Sequence, residues 1–217
     1  MKGKFISFCG LDGSGKTSQC ELLKKYIEDV FHIKTTIVPG YKPSRHVANL
    51  KNVAERLDEH YQELFSCDNL SLSLLCDLWE NTHNIIIPAL NRGEVVLTER
   101  YWESSLIYAP ILGANKNLIE GVVSLFPKPD MFIYLEISPD ISHKRVINRA
   151  KETNIPVMPK ERLEIMELAN KSYLEFAKKC DCKVINTENL SFDDVHQKVK
   201  QHVNTLLNDM VLMGNDA

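Results

Sequence analysis

Two hydrophobic periods alternate along the chain. Short, nearly continuous apolar runs occupy Lys4 to Cys9, Lys34 to Val38, Glu94 to Thr98, Met131 to Ile137 and Lys183 to Asn186. Runs of that length with little polar alternation read as strands buried on both faces. Between them, apolar residues recur three and four apart. In Ser18 to Val30 they fall at Leu22, Leu23, Tyr26, Ile27 and Val30, one stripe of a helix. The same spacing predicts helices over roughly Leu70 to Leu90, from about Ser104, after Ser138-Pro139-Asp140, over Glu161 to Lys179, and over Phe192 to Leu207. Pro39-Gly40 closes the second strand and Arg92-Gly93 turns into the third. Lys151 to Lys160 holds two prolines and no clear period, so it reads as a loop, and Asn208 to Ala217 reads as a frayed tail. Strand and helix in alternation predict an α/β fold, a five-stranded parallel sheet flanked by helices on both faces. With 217 residues, no repeat and no Pro/Gly/Ser-rich linker, residues 1–217 read as a single domain.

Composition narrows the function classes. Hydrophobic residues make up 44% and charged residues 25%, an ordinary globular balance. The formal net charge of −3 offers no basic excess for a nucleic-acid polymer. A small anionic ligand needs only a few placed cations and stays open. Cysteines at 9, 20, 67, 76, 180 and 182 form no Cys-x-x-Cys pair, and no histidine stands at zinc-ligand spacing, so they read as reduced thiols of a cytosolic protein. The first residues lack the apolar core of a signal peptide, and no run reaches the ~20 apolar residues of a membrane span. The expected location is cytoplasmic, with no membrane partner.

The sharpest chemical signal follows the first strand. Gly10-Leu11-Asp12-Gly13-Ser14-Gly15-Lys16-Thr17 fills the phosphate-loop pattern G-x-x-x-x-G-K-[ST], with a strand before it and a helix after it. Glycines let the backbone turn tightly and aim its N–H groups at phosphate oxygens. The following helix adds the positive end of its dipole. Lys16 is suited to the β- and γ-phosphates and the Thr17 hydroxyl to Mg²⁺. Gly10 to Thr17, with Ser18, therefore make up the expected ATP site of a P-loop NTPase. Asp12 stands where a carboxylate can hold a substrate hydroxyl.

The residues around the loop resemble the thymidylate kinase-like family. Phe8 to Gln19 is similar to the family's opening. So are Pro88-Ala89-Leu90-Asn91-Arg92-Gly93, Val95 to Tyr101, Glu103-Ser104-Ser105-Leu106-Ile107-Tyr108, Pro129 to Pro139 and Tyr173 to Ala177. The resemblance implies the five-stranded parallel sheet, a lid near residues 149–162, Mg-ATP as donor and a nucleoside monophosphate acceptor in the cleft at the strand ends. It also implies a homodimer. In the acceptor site it implies Arg100 and Arg45 as phosphate clamps, Tyr101 and Tyr108 near the sugar, and Ser104 and Ser105 beside them.

Departures from the family are specific. An aromatic and an arginine that read the base are matched here by Leu74 and Leu78, and a glutamine that touches it by Ala109. The usual Asp-Arg-Tyr is Glu99-Arg100-Tyr101, with a glutamate suited to positioning or deprotonating an acceptor. The lid signature Asp-Arg-x-Glu is absent. The lid cations on offer are Arg145, Arg149, Lys151, Lys160 and Arg162, of which Arg149 occupies the matching place.

Together these residues predict a kinase that moves the γ-phosphoryl group of ATP to a nucleoside monophosphate, dTMP or a divergent acceptor. Lys16, Asp12, Glu99, Arg100 and Arg149 form the expected catalytic set. Two other readings stay open: a deoxynucleoside or other metabolite kinase with Glu99 as base, and a nucleotide-binding regulatory module with little turnover.

Overall fold

In a computed structural model that describes residues 2–39, 45–154 and 157–214, the five apolar runs pair into one sheet. The strands are β1 (Lys4–Cys9), β2 (Thr35–Pro39), β3 (Val95–Glu99), β4 (Met131–Glu136) and β5 (Lys183–Asn186). They lie all parallel in the order β2-β3-β1-β4-β5. Because β1 has β3 on one side and β4 on the other, the connections leaving it diverge, and a crevice opens at the strands' C-terminal ends.

Side chains alternate across the sheet even though most are apolar. Ile6, Phe8, Val95, Leu97, Ile133, Leu135 and Ile185 pack against α1 (Lys16–Phe31) and α10 (Phe192–Gly214). Phe5, Cys9, Val96, Phe132 and Tyr134 face the other way, toward the remaining helices. That face is covered by α4 (Cys67–Asn81), α5 (Ile87–Asn91), α6 (Trp102–Ile111), α7 (Lys116–Val123), α8 (Pro139–Thr153) and α9 (Leu163–Lys179), while α2 (Arg45–Arg56) packs on α4, and α3 (Tyr61–Leu64) on α2. Full burial of one Leu, Ile or Phe is worth about 1.5–3 kcal/mol, so these two layers are what hold the strand ends in place. Among the described residues, no helix is long and apolar enough to cross a membrane.

Several boundaries differ from expectation. The stretch expected at Leu70 to Leu90 runs from Cys67 to Asn91, and a π-helical turn at Thr82–Ile86 divides it. Helix α6 begins at Trp102, two residues before the expected Ser104, and α9 starts at Leu163. The loop expected from Lys151 is helical to Thr153, and Pro159–Glu161 forms one 3₁₀ turn. Helix α10 continues to Gly214 where fraying was expected from Asn208, and residues 215–217 lie outside those described. Gly40 of the expected turn, and residues 155 and 156 of the expected lid, also lie outside.

Three helices escaped the sequence reading. The start of α2 is capped from far away: Asp77 of α4 accepts the His46 and Val47 N–H groups at 2.9 and 3.4 Å. These two N–H groups are thus met by a partner 30 residues and more away, which local spacing does not announce. Helix α3 is a single short turn, and α7 carries a helix-weakening glycine, Gly121, although Asn115 caps it by accepting the Leu118 N–H at 3.2 Å.

Candidate active site

The loop after β1 needs its glycines. Gly10 has φ +134°, and a Cβ there would lie 2.5 Å from the Leu135 carbonyl oxygen of the adjacent strand. Gly15 has φ +97° with no atom within 4 Å of a would-be Cβ, so the constraint there is the backbone turn and not crowding. Helix α8 grips the loop from behind. The Ser142 hydroxyl donates to the Asp12 carbonyl, and the Arg145 guanidinium donates to the Gly13 carbonyl at 2.9 Å. Leu11 and Ser14 are buried, which fixes the loop between sheet and helix.

Lys16 is buried and curls back over the loop, donating to the Leu11 carbonyl at 2.6 Å and to Ser14 Oγ at 3.4 Å. Burial and the nearby Arg100 charge push its pKa down to about 7, while Asp12 and Glu99 pull the other way. Its neighbour Thr17 is exposed at the mouth and donates to Glu99 Oε2 at 2.6 Å. Ser18 is exposed beside it.

Arg100 is the hub. It follows β3 with φ +68°, in the left-handed region that few non-glycine residues adopt. Its own N–H is fastened to the Phe8 carbonyl of β1 at 2.8 Å. The buried guanidinium donates to Tyr173 Oη at 2.7 Å, to Ser104 Oγ at 3.3 Å and to Asp12 Oδ1 at 2.8 Å. It also stands 5.4 Å from the centre of the Tyr108 ring. The other Asp12 oxygen meets Lys160 Nζ at 2.9 Å. Burial works against the Asp12 charge, but Arg100, Lys160 and Lys16 outweigh it and hold the carboxyl well below the usual range.

The structure thus brings Asp12, Lys16, Thr17, Glu99, Arg100, Ser104 and Tyr108 into one crevice at the ends of β1 and β3. It does not bring Arg149 to that cluster. Arg149 donates to Glu161 Oε1 at 2.6 Å, and the basic residue that reaches Asp12 is Lys160, on the 3₁₀ turn. Arg45 stands exposed at the first residue of α2. Tyr101 is turned into the core, its ring edge-on to Phe5 at 4.9 Å and its hydroxyl 3.0 Å from Thr82 Oγ1. Its side chain braces the site and does not line it, a correction to its expected place near the sugar. Leu78 is buried in the same cluster as Tyr101, Tyr108 and Ala109, and Leu74 is half-buried one turn earlier on α4. Ser105 is buried with its hydroxyl unpaired among the described residues.

Sequence reasoning gave no role to Tyr173 or Ser142. Tyr173 sits on the apolar stripe of α9, stacked on Tyr134 with centroids 5.5 Å apart, and nothing in the pattern separates it from an ordinary core aromatic. Ser142 is one polar position inside α8 whose partner is set only by the fold.

A polyphosphate fits this crevice by charge and shape. Three cations, Lys16, Arg100 and Lys160, converge on a loop whose conformation only glycine adopts easily. Mg²⁺ fits too, since Thr17 Oγ1 and Glu99 Oε2 put two hard oxygens side by side at the mouth, the kind of partial ligand set that this ion completes with water and phosphate.

A family model described as thymidylate kinase matches residues 8–199. Thymidylate kinase of Caldicellulosiruptor saccharolyticus is 32% identical over 95% of this chain and 98% of its own length. That of Ligilactobacillus salivarius is 29% identical over 95% and 97%. A crystal structure of thymidylate kinase from Ehrlichia chaffeensis superposes with a TM-score of 0.67 at 20% identity, covering 94% of this chain and all of that one, which supports the fold alone. Phosphate loop, cation cluster and matched length agree: the chain belongs to the thymidylate kinase family and is an ATP-dependent phosphotransferase acting on a nucleotide.

Proposed function

We propose that the enzyme transfers the γ-phosphoryl group of Mg-ATP to the phosphate of dTMP in the crevice at the ends of β1 and β3. One observation carries the reading: Asp12 is clamped between Arg100 at 2.8 Å and Lys160 at 2.9 Å on the loop that bears Lys16. Cations from three separate elements thereby surround the place where phosphoryl charge is transferred. Lys16 and the loop amides bind the donor's phosphates. Thr17 and Glu99 would hold Mg²⁺, which would supply positive charge to neutralise the phosphates. Arg100, with two nitrogens in a planar fork, orients the acceptor phosphate. Lys160 closes over the transferring group and Asp12 keeps the two cations in register. Arg149, paired with Glu161, acts on the lid and not on the phosphoryl group. The whole is one catalytic domain, residues 1–217, working on a small nucleotide in the cytoplasm.

Leu74, Leu78 and Ala109 favour a second reading of the acceptor alone. Standing at the positions where the family reads the base, apolar groups discriminate weakly between bases, because they leave no hydrogen-bonding group unpaired when the wrong base enters. On that reading other nucleoside monophosphates compete with dTMP. A coupled assay with Mg-ATP and a panel of nucleosides and their monophosphates separates the cases. dTMP is expected to react, thymidine is not, and the spread among monophosphates measures the selectivity. Turnover of nucleosides alone would sink the monophosphate reading and favour Glu99 as base. Undiminished turnover in Lys16→Ala would sink the enzyme site altogether.

A further inference from the structure

Glu103 is fully enclosed, and none of the roles above uses it. It lies on the first turn of α6, where the helix's positive end favours a carboxylate. Both of its oxygens accept the Tyr101 N–H, at 3.0 and 2.9 Å. The Ser104 hydroxyl donates to Glu103 Oε1 at 3.3 Å, and the same hydroxyl oxygen accepts from Arg100 Nη1 at 3.3 Å.

These contacts bracket the turn at Arg100. A residue leaving a strand normally stays extended, and its side chain alternates with its neighbours. Arg100 instead turns left-handed at φ +68°, which non-glycine residues hold only when their surroundings enforce it. Its own N–H is fixed to Phe8 of β1 and the next N–H, that of Tyr101, to Glu103. The guanidinium is steadied through Ser104, which Glu103 also touches.

We infer that Glu103 is a positioning residue for phosphoryl transfer: through the Tyr101 amide it holds the left-handed turn at Arg100, and through the Ser104 hydroxyl it steadies the guanidinium that meets the acceptor. The inference rests on the reading above that Arg100 grips the acceptor phosphate. Carboxylate is the working form, since protonation would convert one accepting oxygen into a donor facing the Tyr101 N–H. Arg100 is the charged group beside it. Cys9 of β1, Tyr101, and Tyr173 and Cys180 from α9 and its end also face it, and all four are pushed up by burial and stay neutral. Burial raises Glu103 to about 7, against the Tyr101 amide and the Arg100 charge, so the carboxylate is lost on the acid side of neutrality.

Steady-state kinetics with Mg-ATP and dTMP across the neutral pH range test this in the wild type, Glu103→Gln, Arg100→Lys and the double variant. In the wild type, kcat/KM for dTMP is expected to fall as pH drops through about 7. Glu103→Gln is expected to lose about tenfold in that constant, to keep KM for Mg-ATP, and to lose the acid limb. Arg100→Lys is expected to lose about 100-fold, with no further loss when Glu103→Gln is added. A Glu103→Gln enzyme with wild-type dTMP kinetics and an unchanged limb would overturn the inference. So would an equal loss in the Arg100→Lys background, which marks a merely structural role. Arg100→Lys with full activity would instead remove the acceptor reading on which the inference stands. Should Glu103→Gln fail to fold, a wild-type profile that stays flat through pH 7 overturns it.

Discussion

At the scale of single residues, Lys16 shows how the site separates free from bound enzyme. Buried, and close to the Arg100 charge, its ammonium titrates at about 7 in the free protein. A polyphosphate bound against it adds negative charge and favours the protonated form. The ratio kcat/KM for ATP reports the free enzyme, whereas kcat reports the loaded one. Profiles measured for both are therefore expected to differ: kcat/KM for ATP falls as pH rises through about 7, and kcat holds its plateau to clearly higher pH. Coincident alkaline limbs would refute this account of Lys16. How far the site was legible also shows best at this scale. Lys16, Thr17, Asp12 and Arg100 were readable because a contiguous motif or a strand end places them with little help from tertiary structure. Lys160 was not preferred to Arg149, because what brings it to Asp12 is a single 3₁₀ turn inside a stretch that reads as loop. Glu103 stood only inside a run that resembles the family and carried no role, since sequence does not register the enclosure that gives it chemistry.

At the scale of elements, the 3₁₀ turn behaves as a small lever pinned at one residue. Glu161 is buried, accepts from Arg149 Nη2 at 2.6 Å and from the Met158 N–H at 2.7 Å, and gives its carbonyl to His143 Nδ1 at 3.0 Å. Both Arg149 and His143 belong to α8, so the turn is tied to the same helix that holds the phosphate loop through Ser142 and Arg145. Lys160 thus reaches Asp12 from a turn whose next residue is anchored. If Arg149 serves only to hold that anchor, its effect passes through Lys160. Arg149→Ala is expected to lower kcat several-fold, and Lys160→Ala to lower it by about 100-fold. The double variant should be no worse than Lys160→Ala, because coupled residues do not add. Independent, multiplying losses would show that Arg149 acts on the phosphoryl group directly, as the sequence alignment implied. The strands were legible at this scale because a parallel sheet buried on both faces leaves uninterrupted apolar runs. Helix α2 was not, and Asp77, which accepts from its His46 and Val47 N–H groups, comes from another helix.

At the scale of the whole molecule, the buried charges of the site set a pH signature for stability. Glu103 and Lys16 are displaced in opposite directions. From the ordinary glutamate value of 4.5 up to about 7, Glu103 keeps its proton when folded but loses it when unfolded, so the folded state binds more protons and stability falls as pH rises. From about 7 up to 10.5, Lys16 has lost its proton when folded and keeps it when unfolded, so stability rises again. Each arm is worth roughly 3 to 5 kcal/mol at 1.36 kcal/mol per pK unit, a large fraction of a domain's net stability. Asp12 runs the other way: its depressed value adds stability above the ordinary carboxylate range, and that contribution is lost only in strong acid. The two arms meet near neutrality, where the carboxylate of Glu103 and the ammonium of Lys16 coexist as the reaction requires. The catalytic arrangement is therefore expected to be a local minimum of stability, the usual trade between a charged site and a relaxed fold. Urea unfolding at a series of pH values should show that dip in the wild type. Glu103→Gln should flatten the acid arm and be the more stable protein at pH 8, while Lys16→Met should flatten the alkaline arm. A wild-type curve without a dip, or a Glu103→Gln protein weaker than wild type at pH 8, would mean that the enclosed carboxylate is solvated or paired in a way the present contacts do not provide.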